Sequence, residues 1–112
     1  MIALDNWKIE SKALLEAGKD LSKMHVIEHT AEFQYKPKRY VPMAKLKLES
    51  LGYEVEVNQI SFRRIDLTIR RIDTLIGIEQ SIKEIVEIVV LNNGAYEGFT
   101  WEMAPSNVKK TL

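Results

Sequence analysis

The chain has 112 residues, of which 46% are apolar and 29% charged, a length and balance that fit one globular domain with one hydrophobic core. Sixteen basic and 16 acidic residues cancel, so no global field draws the chain to nucleic acid or to an anionic membrane. Cysteine is absent, which excludes disulfides and thiolate chemistry and suits a reducing cytoplasm.

The first residues carry no basic region and only a short apolar run, unlike a signal peptide. The longest apolar-rich stretch, residues 75–91, is interrupted by Gly77, Glu79, Lys83, Glu84 and Glu87. It cannot span a bilayer, which takes about 20 mostly apolar residues. The expected location is the cytoplasm. One domain is expected over 1–112, with its core in about 5–104 and a frayed tail over 105–112.

In chain order, Asp5 or Asn6 can cap a first helix that runs to about Ala17 and stops at Gly18. Residues 24 to about 33 alternate as a strand, with His25, Ile27, His29, Ala31 and Phe33 on one side. Lys36, Pro37, Lys38 and Arg39 form a basic loop before a helix that begins near Val41. That helix shows a stripe of Val41, Ala44, Leu48 and Leu51 and ends at Gly52. Next comes the clearest alternation of the chain, with Tyr53, Val55 and Val57 inward and Glu54, Glu56 and Asn58 outward.

A turn near Asn58 and Gln59 leads to a strand with Ile65, Leu67 and Ile69 inward and Arg64, Asp66, Thr68 and Arg70 outward. Asp73 or Thr74 then caps a helix with the stripe Leu75, Ile78, Ile82, Ile85, Val86 and Val89, stopped by Asn92, Asn93 and Gly94. The last strand covers about 95–103, with Phe99, Trp101 and Met103 inward and Tyr96 outward. The order is a helix followed by βαββαβ. That predicts an α+β fold on the ferredoxin-like plan, an antiparallel sheet with both helices on one face, preceded by the N-terminal helix. Trp101, Ile65, Leu67, Ile85 and Val55 are the expected core, and the chain is expected to be a monomer or a weak dimer.

The chemistry-bearing residues point away from catalysis. His25 and His29 share a side of one strand but stand four residues apart, about twice the two-residue spacing that neighbouring metal ligands use. They read as a pair of half-buried histidines. Glu54 and Glu56 are paired carboxylates, yet Arg64 and Arg70 face them from the next strand, so cross-strand ion pairing accounts for both. The serines at 22, 50, 61, 81 and 106 lack a nucleophile-elbow context, and the five glycines form no phosphate loop. No enzyme, cofactor, metal or small-molecule substrate is expected.

RNA binding is the alternative. The ferredoxin-like sheet is the frame of RNA-recognition modules that stack bases on aromatics. Here the outward positions are Glu28, Glu54, Glu56, Asp66 and Thr68, mostly carboxylates, with Tyr96 the only aromatic. Lys36, Lys38, Arg39, Lys45 and Lys47 do form a basic cluster able to touch phosphates, with Lys36, Lys38, Arg39 and Lys45 the candidate contacts.

Four phrases, taken in order and spacing, resemble a known family: Leu14-Leu15-Glu16 with Gly18, Ile27-Glu28-His29, Leu51-Gly52-Tyr53-Glu54-Val55, and Tyr96-Glu97-Gly98-Phe99. The family is that of the regulator of ribonuclease E activity B. The resemblance implies a non-catalytic protein that binds the scaffold of the endoribonuclease of the RNA degradosome and restrains cleavage. It therefore implies a protein partner; the core stripes leave the charged open face, Glu54, Glu56, Arg64 and Arg70, free as the candidate interaction face for a partner or for the N-terminal helix. Well-known members are strongly acidic with an acidic tail, whereas this chain is neutral and ends in Lys109-Lys110-Thr111-Leu112.

Overall fold

The computed structural model describes Lys12 and residues 21–104. The expected N-terminal helix and C-terminal tail lie outside the described residues. Within them the order is β1 (Met24–Phe33), α1 (Pro37–Ser50), β2 (Glu54–Ser61), β3 (Arg64–Thr74), α2 (Ile78–Leu91) and β4 (Ala95–Met103).

The four strands form one antiparallel sheet in the order β2-β3-β1-β4. β1 lies at the centre, and its burial alternates without exception: His25, Ile27, His29, Ala31 and Phe33 are buried, their neighbours half-buried. Strict period-two burial arises because one face meets the helices and the other does not. β3 repeats the pattern with Ile65, Leu67 and Ile69. Val41, Ala44 and Leu48 of α1 and Ile85, Ile88 and Val89 of α2 close over these residues in one core cluster. A second cluster joins Ile27, Leu75, Ile78, Ile82 and Phe99. Val55 packs at the margin of the first cluster and Trp101 at the margin of the second, both partly buried.

Several local expectations are corrected. The basic loop is the first turn of α1: the helix starts at Pro37, because proline at its first position loses no hydrogen bond and presets φ. Lys36 precedes it with left-handed angles of φ 43° and ψ 55°. The turn expected at Asn58 and Gln59 falls at Phe62 and Arg63, since β2 pairs with β3 as far as Ser61. Val57 and Met103 lie opposite the buried Leu67 and His25, on the helix side of the sheet, yet are exposed, for they sit on the two edge strands. Leu51 is partly exposed at the end of α1. Asp73 and Thr74 belong to β3, Leu75 is buried between strand and helix, and α2 begins after Gly77.

The largest correction concerns β4. Its register with β1 slips between Thr30 and Ala31, so that Thr30 faces Gly98 and Ala31 faces Tyr96. Glu97 is the extra residue of a β-bulge, and Gly98 takes φ 135°, a conformation that glycine adopts without a Cβ penalty. The bulge reverses side-chain parity, so both Tyr96 and Phe99 turn toward the helix side. Tyr96 therefore packs against both core clusters instead of facing outward.

Candidate functional site

The sheet face away from the helices is a charged surface. Register places Glu54 opposite Arg70, Glu56 opposite Thr68 and Asn58 opposite Asp66 between β2 and β3. Between β3 and β1 it places Arg70 opposite Glu28 and Asp66 opposite Glu32. Arg70 Nη2 lies 2.7 Å from Glu28 Oε2, and Nη1 lies 3.6 Å from Glu54 Oε1. Arg64 donates to both Asp66 oxygens at 2.8 and 3.0 Å and also approaches Glu32 at 3.2 Å and Glu97 at 3.9 Å. Asp66 and Glu28 raise the pKa values of Arg64 and Arg70 respectively by accepting their hydrogen bonds.

Of the four residues singled out on this face, Arg70 directly meets Glu54, and Glu56 adds a longer-range field at Arg70. Arg64 belongs to a separate cluster nearer the β2–β3 turn. The sequence pattern places Glu28 and Glu32 outward on β1, but their pairing with Arg70 and Arg64, and the presence of Glu97, come only from the strand order. The pairing makes the face acidic. Glu28, Glu32, Glu54, Glu56, Asp66, Glu97 and Glu102 give seven carboxylates against two guanidiniums, Arg64 and Arg70. A neutral chain thus carries a face with a formal excess of five negative charges.

Glu32, Asp66 and Glu97 bring three carboxylate oxygens within 4.8 Å of one another. The guanidinium of Arg64 reaches all three side chains, so an internal cation already meets that charge.

Beneath the sheet, both histidines are buried, deeper than half-buried edge positions would be. His25 Nδ1 lies 2.7 Å from the Lys23 carbonyl and His29 Nδ1 lies 2.8 Å from Tyr96 Oη. They do not converge on a common point. Arg71 stacks its guanidinium 4.2 Å from the ring centre of Tyr53 and donates to Ser81 Oγ and to Asp73. The Tyr53 hydroxyl has no hydrogen-bond partner among the described residues, with Ser81 its polar neighbour, and burial raises its pKa.

The basic cluster divides in two. Lys45 pairs with Glu49 at 3.6 Å one turn along α1, and Lys47 lines a groove with Glu84 and Glu87 of α2. Lys36, Lys38 and Arg39 stay together at the start of α1, beside Phe62 of the β2–β3 turn. No helix among the described residues is long and apolar enough to cross a membrane.

The architecture is that of a small α+β domain with helices over one sheet face and a largely acidic face left open by them. The family model for regulator of ribonuclease activity B matches residues 11–101. The chain belongs to that family, whose name marks its members as regulators of ribonuclease activity. No curated protein sequence matches the chain significantly.

Proposed function

We propose that the chain is a non-catalytic regulator that binds a ribonuclease partner through its acidic open sheet face. The observation that supports this is the seven-to-two excess of carboxylates on that face in a chain with no net charge. A basic segment, such as the scaffold of an endoribonuclease, is the complementary surface. The neutral total is no obstacle, because docking responds to the local field rather than the sum. The sheet read from its other edge, β4-β1-β3-β2, supports the ferredoxin-like reading of the fold. We read the chain as acting in the cytoplasm as a monomer or weak dimer.

The test is capture of the endoribonuclease from a nuclease-treated lysate by the immobilised chain. Capture should survive nuclease and be lost when Glu54 and Glu56 are both changed to Lys, with thermal unfolding unchanged. Loss of capture on nuclease treatment would show that RNA bridges the two. Capture that survives the charge reversal would remove the interface from this face.

A further inference from the structure

A second surface, separate from the acidic face in charge and composition, gathers around the start of α1. Four cations lie there in sequence or contact: Lys36, Lys38 and Arg39 beside the turn residues Phe62 and Arg63. Among the described residues none of the four cations forms an ion pair. The nearest acids along the chain, Glu32 and Asp66, are both engaged by Arg64. The first turn of α1 contains no acidic residue. The positive charge of this corner is therefore uncompensated.

The same corner carries aromatic rings that the core does not use. Phe62 is 80% exposed and Tyr35 54% exposed. Tyr35 and Tyr40 lie nearly parallel, at 24° with centroids 6.0 Å apart. Each ring is attended by a cation: Lys36 Nζ is 5.4 Å from Tyr35, Lys38 Nζ 5.6 Å from Phe62, and the Arg39 guanidinium 5.5 Å from Tyr40. Together with Pro37, the basic residues and Phe62 border a shallow apolar groove of about 300 Å³. A lone exposed phenylalanine needs no explanation. Three rings interleaved with four unpaired cations form a pattern that suits a flexible polyanion with flat faces. Single-stranded nucleic acid has that composition, because its phosphates meet the cations while its bases stack on the rings. An acidic peptide would satisfy the charges but leave the rings in water.

We propose that this corner, Lys36, Lys38, Arg39 and Arg63 with Tyr35 and Phe62, is a contact site for single-stranded RNA. It does not rest on the acidic face or its partner. Lys45, which the sequence grouped with these cations, is not part of it.

The experiment is fluorescence anisotropy of the full chain with a labelled oligouridine of about twelve nucleotides, across a range of salt. Four phosphate contacts should give a log–log salt slope of about −3. Replacing both Lys38 and Arg39 with Gln should roughly halve that slope. Phe62→Ala should weaken binding about ten-fold while leaving the slope unchanged, since it removes stacking and no charge. All of these side chains lie at the surface, so an unchanged melting temperature verifies the fold of each variant. Absence of binding at low salt would overturn the proposal. Affinity unaffected by Phe62→Ala and Tyr35→Ala combined would reduce the corner to a nonspecific polyanion contact and overturn it as well. Equal competition by polyglutamate would assign the corner to an acidic protein segment instead.

Discussion

Tyr96 Oη stands 2.8 Å from Nδ1 of His29, tying edge strand β4 to central strand β1 inside the core. Burial lowers the His29 pKa to about 4, and the positive charge of Arg71 adds to the effect. Burial also raises the pKa of Tyr96, which keeps its hydroxyl protonated. A neutral imidazole and a protonated phenol thus share this hydrogen bond, the imidazole tautomer setting which of them donates.

This pair predicts a stability that depends on pH. Unfolded His29 binds a proton near pH 6.5, whereas folded His29 resists it until about pH 4. The unfolded state therefore binds more protons within that window, and stability falls as pH drops through it. The full effect is about 3 kcal/mol. Denaturant midpoints should begin to fall between pH 6.5 and 5, above the ordinary carboxylate range. His29→Gln should flatten that part of the profile, and an unaltered profile would refute the assignment.

Leu67 is fully buried at the centre of the first core cluster. Leu67→Ala should cost about 2–5 kcal/mol, the transfer energy of the lost atoms plus that of the cavity they leave. Equilibrium unfolding in urea measures it, and an unchanged midpoint would contradict the placement of β3.

Gly94 follows α2 where the backbone passes close to the ring of Phe33. A Cβ added there would lie 2.5 Å from a ring carbon of Phe33, which is itself wholly buried. Gly94→Ala should therefore destabilise by about 1–3 kcal/mol through overpacking. Combining it with Phe33→Leu should give less than the sum of the two single effects, because the smaller side chain relieves the clash.

On the open face, Arg70 and Glu28 sit directly opposite each other in the register. Both are about one-third exposed, so water screens the pair. A double-mutant cycle with Arg70→Ala and Glu28→Ala should give a coupling of about 0.5–1 kcal/mol that shrinks in high salt. A salt-insensitive coupling would mean that the two act through packing.

The sequence carried the elements more clearly than their ends. β1 and β3 are legible because period-two burial writes itself into residues such as Ala31 and Leu67. The α1 boundary was obscured because Lys36 to Arg39 reads as a basic loop until the angles of Pro37 are known. Tyr96 was misplaced because a bulge has no periodic signature; Glu97-Gly98 hints at one only through its glycine. Of the open face, Glu54, Glu56, Arg64 and Arg70 follow from two adjacent strands. Its acidic character is legible in part from the outward carboxylates, but Glu97 and Glu102 join it only because β4 lies beside β1, and β1 beside β3, in space. The exposure of Phe62 is not legible for a similar reason, as the sequence signals the turn at Asn58 and Gln59 rather than at Phe62 and Arg63.

Arg64 and Arg70 already pair with five of the seven carboxylates on this face, Glu28, Glu32, Glu54, Asp66 and Glu97, while Glu56 and Glu102 form no ion pair among the described residues. Docking at those five would be a substitution: each new ion pair there displaces, at least in part, one that the domain had made for itself. The energy gained is the difference between two similar contacts, and little is left stranded when the visitor departs. A surface of this kind favours ready exchange over permanent attachment, and it shields the isolated domain from the self-repulsion of its own acids.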